Sequence, residues 1–100
     1  MTVYSVVRFR AKLGHDEDFR ALFLGIERQF DGLRKAVLIQ TGDRAYCSIG
    51  EWESVDHLSA SRPRMIANLD MFRHTLEEIV EGNVTDAVSG EALYEQTFTR

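Results

Sequence analysis

The chain has 100 residues, of which 44% are hydrophobic and 28% are charged, with a formal net charge of -4 and one cysteine. This size predicts one domain over residues 1–100, and the composition is typical of a soluble globular protein. The basic residues are scattered and no apolar run approaches a membrane span, so we expect no nucleic-acid partner and no membrane partner. The lone Cys47 and a first segment that does not resemble a secretory signal favour the cytoplasm.

The first half of the chain alternates between extended and helical periodicity. A strand is predicted over residues 2–11, where apolar side chains alternate. Acidic residues after Gly14 mark the start of an amphipathic helix, which Gly32 should end. Strands over residues 33–41 and 44–53 then flank a tight turn at Gly42-Asp43, which predicts a hairpin.

The second half should begin with a helix that Ser54 caps at its N-terminus. Pro63 should stop or redirect this helix, because proline cannot donate a backbone hydrogen bond and clashes with the preceding turn. A second apolar stripe, from residue 63 to residue 80, predicts that the helical region resumes there, with Gly82 as its C-cap.

The last strand is predicted over residues 84–97, with an interruption at Ser89-Gly90 that is either a hairpin tip or a bulge. The resulting order of elements is βαββαβ. With right-handed crossovers this order predicts an α+β, ferredoxin-like fold, in which two helices lie on one face of a four-stranded antiparallel sheet.

The apolar pattern of the first strand also predicts a partner chain. Val3, Val7 and Phe9 share one face of it, and Tyr4 and Val6 share the other. One layer of helices covers only one face of a sheet, so the second apolar face needs another cover. We therefore expect a homodimer in which two sheets pack face to face.

Several short motifs, spread over nearly the whole chain, resemble the antibiotic biosynthesis monooxygenase (ABM) family of the dimeric α/β barrel superfamily. They are the opening strand at residues 6–10, Gly14 before an acidic helix start, Tyr46 leading into residues 51–54, residues 84–86, and Ser89-Gly90. The resemblance implies a dimeric barrel. Cofactor-independent members of the family oxidise electron-rich phenols or hydroquinones, and the resemblance implies that chemistry here.

Haem-degrading members of the family rely on an asparagine in the first strand and on a tryptophan and a histidine in the second helical region. This chain has no asparagine in its first strand, and its only tryptophan, Trp52, falls in the third strand. No His, Cys or carboxylate cluster has the spacing of metal ligands. We therefore expect no cofactor, neither haem nor metal.

The leading functional hypothesis is a cofactor-independent monooxygenase acting on a small phenolic or enolisable aromatic substrate. The alternative is a non-catalytic dimeric module that binds or senses a small ligand on the same fold, and an isomerase or decarboxylase is a third possibility. A sealed apolar pocket with a few converging polar groups would favour an enzyme.

Three residues are candidates for catalysis. Trp52 shares a strand face with Tyr46 and Gly50, so its ring could form a pocket wall and the Tyr46 hydroxyl could orient a phenol. His57 follows within one helical turn, and an imidazole has the pKa of a general base. Each has a simpler interpretation, because Trp52 and Tyr46 could be packing residues and His57 could be an exposed residue without a role.

Two further residues are candidates for substrate binding. Arg8, in a central strand, could anchor an anionic substrate, although an ion pair with Glu51 or with the partner subunit would also explain it. Asn68 lies at the margin of the second helical stripe and could point into a cavity under the helix, although a residue at such a margin could also simply cap the edge of the core. We expect the site between the sheet and the second helical region.

Overall fold

The structure, a computed structural model, describes residues 1–99 and contains the elements in the predicted order. These elements are strand β1 (Val3–Arg10), helix α1 (Asp16–Leu24), strand β2 (Leu33–Gly42), strand β3 (Ala45–Trp52), helix α2 (Val55–Phe72), a 3-10 turn (Arg73–Thr75) and strand β4 (Asp86–Glu91). The strands form one antiparallel sheet in the order β2-β3-β1-β4. The predicted ferredoxin-like α+β fold is confirmed.

The β2–β3 hairpin turns one residue later than the sequence predicts. β2 runs to Gly42 and β3 begins at Ala45, so the turn falls on Asp43 and Arg44 rather than on Gly42 and Asp43. Arg44 adopts a φ of 58°, a left-handed conformation that is unfavourable for residues with a Cβ atom. Its guanidinium donates to the Ala11 carbonyl at 3.0 Å, and this anchor helps to hold the turn.

Helix α1 ends at Leu24, so the prediction that it continues to Gly32 is wrong. Ile26 and Phe30, which continue the helical spacing of apolar residues, are buried in a non-helical segment. The Arg28 guanidinium folds back on the helix end and donates to the Phe23 and Ile26 carbonyls at 2.7 and 3.1 Å. The bond to Phe23 adds a donor to one of the carbonyls in the last turn of the helix, and the bond to Ile26 fixes the segment that follows.

Helix α2 is continuous, so the prediction that Pro63 splits it is wrong. Ser54 is the N-cap, as predicted, and its Oγ accepts a hydrogen bond from the His57 backbone N–H at 3.2 Å. Leu58 before the proline and Phe72 after it are buried against the sheet and α1. This packing holds the helix together across the proline despite the missing hydrogen bond.

The helical region also ends earlier than predicted, at the 3-10 turn rather than at residue 80. Leu76 is extended, and it forms a bridge with Ala11 at the end of β1. Gly82 is therefore not a helix cap but part of a turn closed by a bridge between Val80 and Asn83. An edge contact with β1 thus replaces the last predicted turns of helix.

Strand β4 runs without interruption through Ser89 and Gly90, where a break was expected. Both residues keep a regular register with β1, opposite Ser5 and Tyr4 respectively. The strand is shorter than predicted, because it ends at Glu91. The Ala92 N–H still donates to the Thr2 carbonyl at 2.8 Å, which closes the edge of the sheet.

One face of the sheet, called here the covered face, packs against the helices in two clusters. The aromatic cluster has rings from β1, β3 and both helices with centroids between 4.8 and 6.1 Å apart: Phe9, Phe19, Phe23, Tyr46 and Phe72. The tryptophan cluster has Val3, Phe30, Trp52 and Leu58, with Phe30 stacked on the Trp52 indole at 6.0 Å. The covered face therefore has two cores with a boundary between them.

On the opposite side, called here the open face, no helix of residues 1–99 packs. Val88, Val6, Ile49 and Val37 are direct cross-strand partners, so they form one β-branched row across all four strands. Val88 is 66% exposed and Val37 is 36% exposed. No helix of residues 1–99 has both the length and the apolar character that crossing a membrane requires.

Candidate active site

A cavity of about 230 Å³ lies between the covered face and α2, at the boundary of the two clusters. Phe9, Phe23 and Phe72 of the aromatic cluster form one part of its wall. Phe30 and Trp52 of the tryptophan cluster form another. The cavity lies where the sequence predicts a site, between the sheet and the second helical region.

Trp52 reaches the cavity because it is the last residue of β3 and points to the covered face. Its indole N–H donates to Ser5 Oγ, across in β1, at 3.0 Å. Gly50 makes this contact possible, since a Cβ there would lie 2.8 Å from Ser5 Oγ and 2.9 Å from Trp52 Nε1. The space beside the indole is thus used by a buried hydrogen bond, and Phe30 stacks on the ring.

The lining contains four uncharged polar side chains, Ser5, Ser48, Asn68 and Thr85, of which Ser5 is already bonded to the Trp52 indole. Asn68 and Ser48 face the cavity from opposite walls. Asn68 comes from α2 and Ser48 from the middle of β3. Neither side chain has a hydrogen-bond partner within residues 1–99, so both can bind a ligand. The sequence places Asn68 only at the margin of the helical stripe. The structure shows that it lines the same cavity as Trp52.

Two cationic side chains in the lining, Arg28 and Arg62, were missed by the sequence analysis. Arg28 lies in the segment after α1, and burial lowers the pKa of its guanidinium. Arg62 lies in α2, and its guanidinium is 3.4 Å from Ser89 Oγ in β4. A helix predicted through residue 28 gave no indication that Arg28 would turn back toward the core.

His57 lies outside the cavity lining. Its Nδ1 shares a hydrogen bond of 2.6 Å with Ser54 Oγ, and its Nε2 is 3.7 Å from the Asp31 carboxylate. The ring packs so closely on Gly32 that a Cβ at residue 32 would lie 2.3 Å from it. In this position His57 joins the start of α2 to the segment before β2.

Tyr46 and Arg8 border a second cavity of about 180 Å³ instead. Tyr46 is buried in the aromatic cluster, and its hydroxyl donates to Asp16 Oδ2 at 3.0 Å. Burial, and then this hydrogen bond, raise the pKa of Tyr46. Arg8 is exposed, with no carboxylate within 4.0 Å among residues 1–99, and Glu51 instead accepts a hydrogen bond from Tyr4. The main cavity therefore contains only Trp52 and Asn68 of the five candidates.

Comparison with known proteins gave matches to solved structures alone, since no family model and no curated protein matches the chain. A candidate antibiotic biosynthesis monooxygenase from Deinococcus radiodurans superposes with a TM-score of 0.77 at 16% identity, over 98% of this chain and 99% of that one. Rv0793 from Mycobacterium tuberculosis gives a TM-score of 0.77 at 17% identity, over 97% and 100%. A variant of SnoaB, a cofactor-independent oxygenase from Streptomyces nogalater, gives 0.74 at 17% identity, over 94% and 95%.

The chain has the ABM fold. These likenesses extend over nearly the full length of each chain, and they support the resemblance to the ABM family found in the sequence. A fold shared at such low identity does not determine chemistry, which depends on the side chains of the site.

Within this ABM fold, the lining of the main cavity is chemically simple. Its charged members are Arg28 and Arg62, and it contains no His, Asp, Glu, Lys, Tyr or Cys from residues 1–99. In the same range, no three His, Cys, Asp or Glu side chains form a group that could hold a metal ion. The cavity can therefore accommodate an aromatic ring, donate hydrogen bonds to it and stabilise negative charge on it.

Proposed function

We propose that the protein is a cofactor-independent monooxygenase that acts on a small phenolic or enolisable aromatic substrate in the main cavity. The observation that carries the proposal is the composition of the lining, in which Asn68, Ser48 and Arg28 are set among aromatic and aliphatic side chains. Pockets that bind small molecules typically combine an apolar wall with a few placed polar groups. SnoaB, a cofactor-independent oxygenase, has the same fold.

The proposed chemistry relies on the substrate for electrons. An ionised phenol or enol can reduce molecular oxygen, so that one oxygen atom enters the product as a carbonyl and the other leaves as water. Among the described residues, the lining offers no side chain that would serve as a general base near neutral pH. The substrate proton would therefore leave to water, while Arg28 and Asn68 stabilise the anion that forms.

We also infer that two chains pair through the open face. The row of Val88, Val6, Ile49 and Val37 is apolar and continuous across the sheet, and in a single chain its two end members are exposed and its two central members are half-buried. Pairing two such faces would bury on the order of 2,000 Å² in total, the size of a stable homodimer interface. The main cavity lies on the other face, so each chain would keep its own site.

Oxygen consumption with a panel of hydroquinones, naphthols and anthrone-like phenols tests the monooxygenase proposal. We expect uptake by the wild-type protein, and a rate at least about tenfold lower for Asn68→Ala, a loss of about 1.4 kcal/mol in transition-state stabilisation. Asn83→Ala is the matched control, because Asn83 lies in an exposed turn away from the cavity. Equal rates in both variants would remove Asn68 from the mechanism.

The same assay decides the role of His57. If His57 is a general base, as the sequence suggests, then His57→Gln should lower the rate and the exposed-residue control His74→Gln should not. The position of His57 outside the cavity lining leads us to expect equal rates.

The lack of a base in the lining also favours the second candidate function, a module that binds a small ligand without turnover. Ligand binding with no oxygen uptake across the panel would identify that function.

A further inference from the structure

The Arg28 guanidinium has no carboxylate within 4.0 Å among the residues that the structure describes. Arg44, Arg10 and Arg73, by contrast, each have an acidic partner, which is Glu77 for the first two and Asp70 for the third. A charge moved out of water is costly unless a group of opposite charge or strong hydrogen bonds compensate it. Arg28 is thus a cation without a counter-ion beside an apolar cavity.

The contacts of Arg28 fix its orientation without using all of its donors. Its two terminal nitrogens donate to the carbonyls of Phe23 and Ile26, and its Cζ lies 4.0 Å from the centroid of the Phe23 ring. A guanidinium has five N–H donors. Two are used in these bonds, so three remain for a ligand in the cavity that Arg28 lines.

The charged side chains in the lining of the main cavity are all positive. Arg28 and Arg62 are its only charged members among residues 1–99, whereas the whole chain has a formal net charge of -4. The two cations also lie apart, since Arg28 belongs to the segment that leads into β2 and Arg62 contacts Ser89 in β4, at the opposite edge of the sheet. The cavity therefore favours an anion over a neutral or cationic ligand.

The volume of the cavity limits the ligand. An apolar cavity of about 150 Å³ is large enough to bind benzene. The cavity here, at about 230 Å³, has room for one ring or for two fused rings. The rings of Phe23, Phe30 and Phe72 in its wall suit a flat aromatic ligand.

We propose that the natural ligand of the main cavity is a mono- or bicyclic aromatic carboxylate, whose carboxylate is bound by Arg28. This inference deepens the proposed function, on which it rests for the identity of the site, by naming the class of substrate. The planar guanidinium fork can bind both oxygens of a carboxylate at once.

Calorimetric titration with 2-naphthoate and with 2-naphthamide, its uncharged analogue of similar shape, tests the proposal. We expect the wild-type protein to bind the carboxylate at least about tenfold more tightly than the amide. Arg28→Gln should abolish this preference. Arg64→Gln should preserve it, because Arg64 also lies over an aromatic ring, 4.8 Å from the Phe30 centroid, but is not in the cavity lining.

Arg28 also supports the end of α1, so its loss could loosen the segment that follows. A purely structural role would weaken both ligands by the same factor, whereas carboxylate recognition changes the ratio of their affinities. Arg28→Lys, which keeps the charge but not the fork, should retain part of the preference. Equal affinities of the two ligands for the wild-type protein would overturn the proposal, and so would an unchanged preference in Arg28→Gln or no binding of either ligand.

These titrations are independent of turnover. Oxygen uptake with neutral phenols, together with equal binding of the carboxylate and the amide, would reject carboxylate recognition and leave the monooxygenase proposal intact. Selective carboxylate binding without oxygen uptake from any member of the phenol panel or from hydroxylated aromatic carboxylates would support the ligand class and reject the monooxygenase.

Discussion

On the covered face of the sheet, Val3 and Phe9 are 1% and 6% exposed, whereas Val88 on the open face is 66% exposed. Both faces present apolar side chains at alternate positions of the same strands, so composition alone does not distinguish them. The difference is that two helices and the segment after α1 pack on one face. The covered face completes its own core within one chain, whereas no helix of residues 1–99 packs on the open face.

The two tyrosines of the sheet reflect the same difference. On the covered face, burial raises the pKa of Tyr46, with a smaller effect from its hydrogen bond to Asp16. On the open face, hydrogen bonds to Glu95 and Glu51 raise the pKa of Tyr4 to about 12. The covered face is thus a dry environment, suited to a ligand cavity, and the open face is a mixed one, in which carboxylates border the apolar row.

The largest expected effect is a loss of stability when a side chain is removed from the aromatic cluster, the filled part of the covered face. Phe19 is fully buried, and its ring contacts four other aromatic rings of the aromatic cluster. Phe19→Ala should lower the free energy of unfolding by about 3–5 kcal/mol, through lost contacts and the cavity left behind. Leu24→Ala in the same helix, at a residue that is 71% exposed, should change it by less than about 0.5 kcal/mol. Urea denaturation at one fixed chain concentration measures both, and similar losses would contradict the assignment of the core.

The next largest expected effect is a weakening of the proposed dimer by a substitution on the open face. Ile49 lies in the middle of the β-branched row, and Ile49→Asp would bring two carboxylates into the proposed dimer interface. We expect the dimer dissociation constant to rise at least about 100-fold, or about 2.8 kcal/mol. Val55→Asp is the control, because Val55 is a half-exposed β-branched residue at the start of α2. Sedimentation equilibrium measures both variants. A stable 11.5 kDa species for the wild-type protein at micromolar concentration would refute the dimer.

A smaller effect is expected from Tyr46→Phe, which removes the hydroxyl that donates to Asp16. Near neutral pH it should lower the free energy of unfolding by about 1 kcal/mol. The pKa of Tyr46 is raised by folding, so its contribution is fully present below the pKa of an unfolded tyrosine, about 10, and is lost as the pH rises through the folded value.

Urea denaturation at increasing alkaline pH measures this dependence. The wild-type protein should lose more stability above about pH 10 than Tyr46→Phe does. Tyr94→Phe, at an exposed residue of the C-terminal segment, should follow the wild-type curve. A Tyr46→Phe curve parallel to the wild-type curve would show that the Tyr46 hydroxyl is not in a buried environment.

The order of elements, the fold and the location of the cavity could be predicted from the sequence, because each depends on local periodicity. Alternation along β1 and helical spacing along α1 and α2 identify the faces that must pack together. Trp52 and Asn68 line the cavity for the same reason, since their positions within β3 and α2 determine the side to which they point.

The details that the structure places differently depend on specific side-chain contacts, which periodicity does not reveal, or on exceptions to local rules. Ile26 and Phe30 keep helical spacing, yet α1 ends at Leu24, and the Arg28 side chain bonds back to the Phe23 carbonyl. Pro63 breaks a helix in isolation, but the packing of α2 on the sheet outweighs that preference. His57 is near Trp52 in sequence, but its bonds to Ser54 and Asp31 hold it away from the cavity.

The central claim is that the covered face binds the ligand, and Val6 and Val7 test it directly because they are neighbours in β1 that point to opposite faces. Val7 lines the main cavity, whereas Val6 lies in the row of the open face. The test is an anaerobic titration of isotope-labelled protein with 2-naphthol, followed by NMR. The Val7 methyl signals and the single indole N–H signal, from Trp52, should shift with one common dissociation constant, while the Val6 methyl signals stay in place. Shifts of Val6 without Val7, or no shift of Val7 and Trp52 up to the solubility limit of the ligand, would contradict the account.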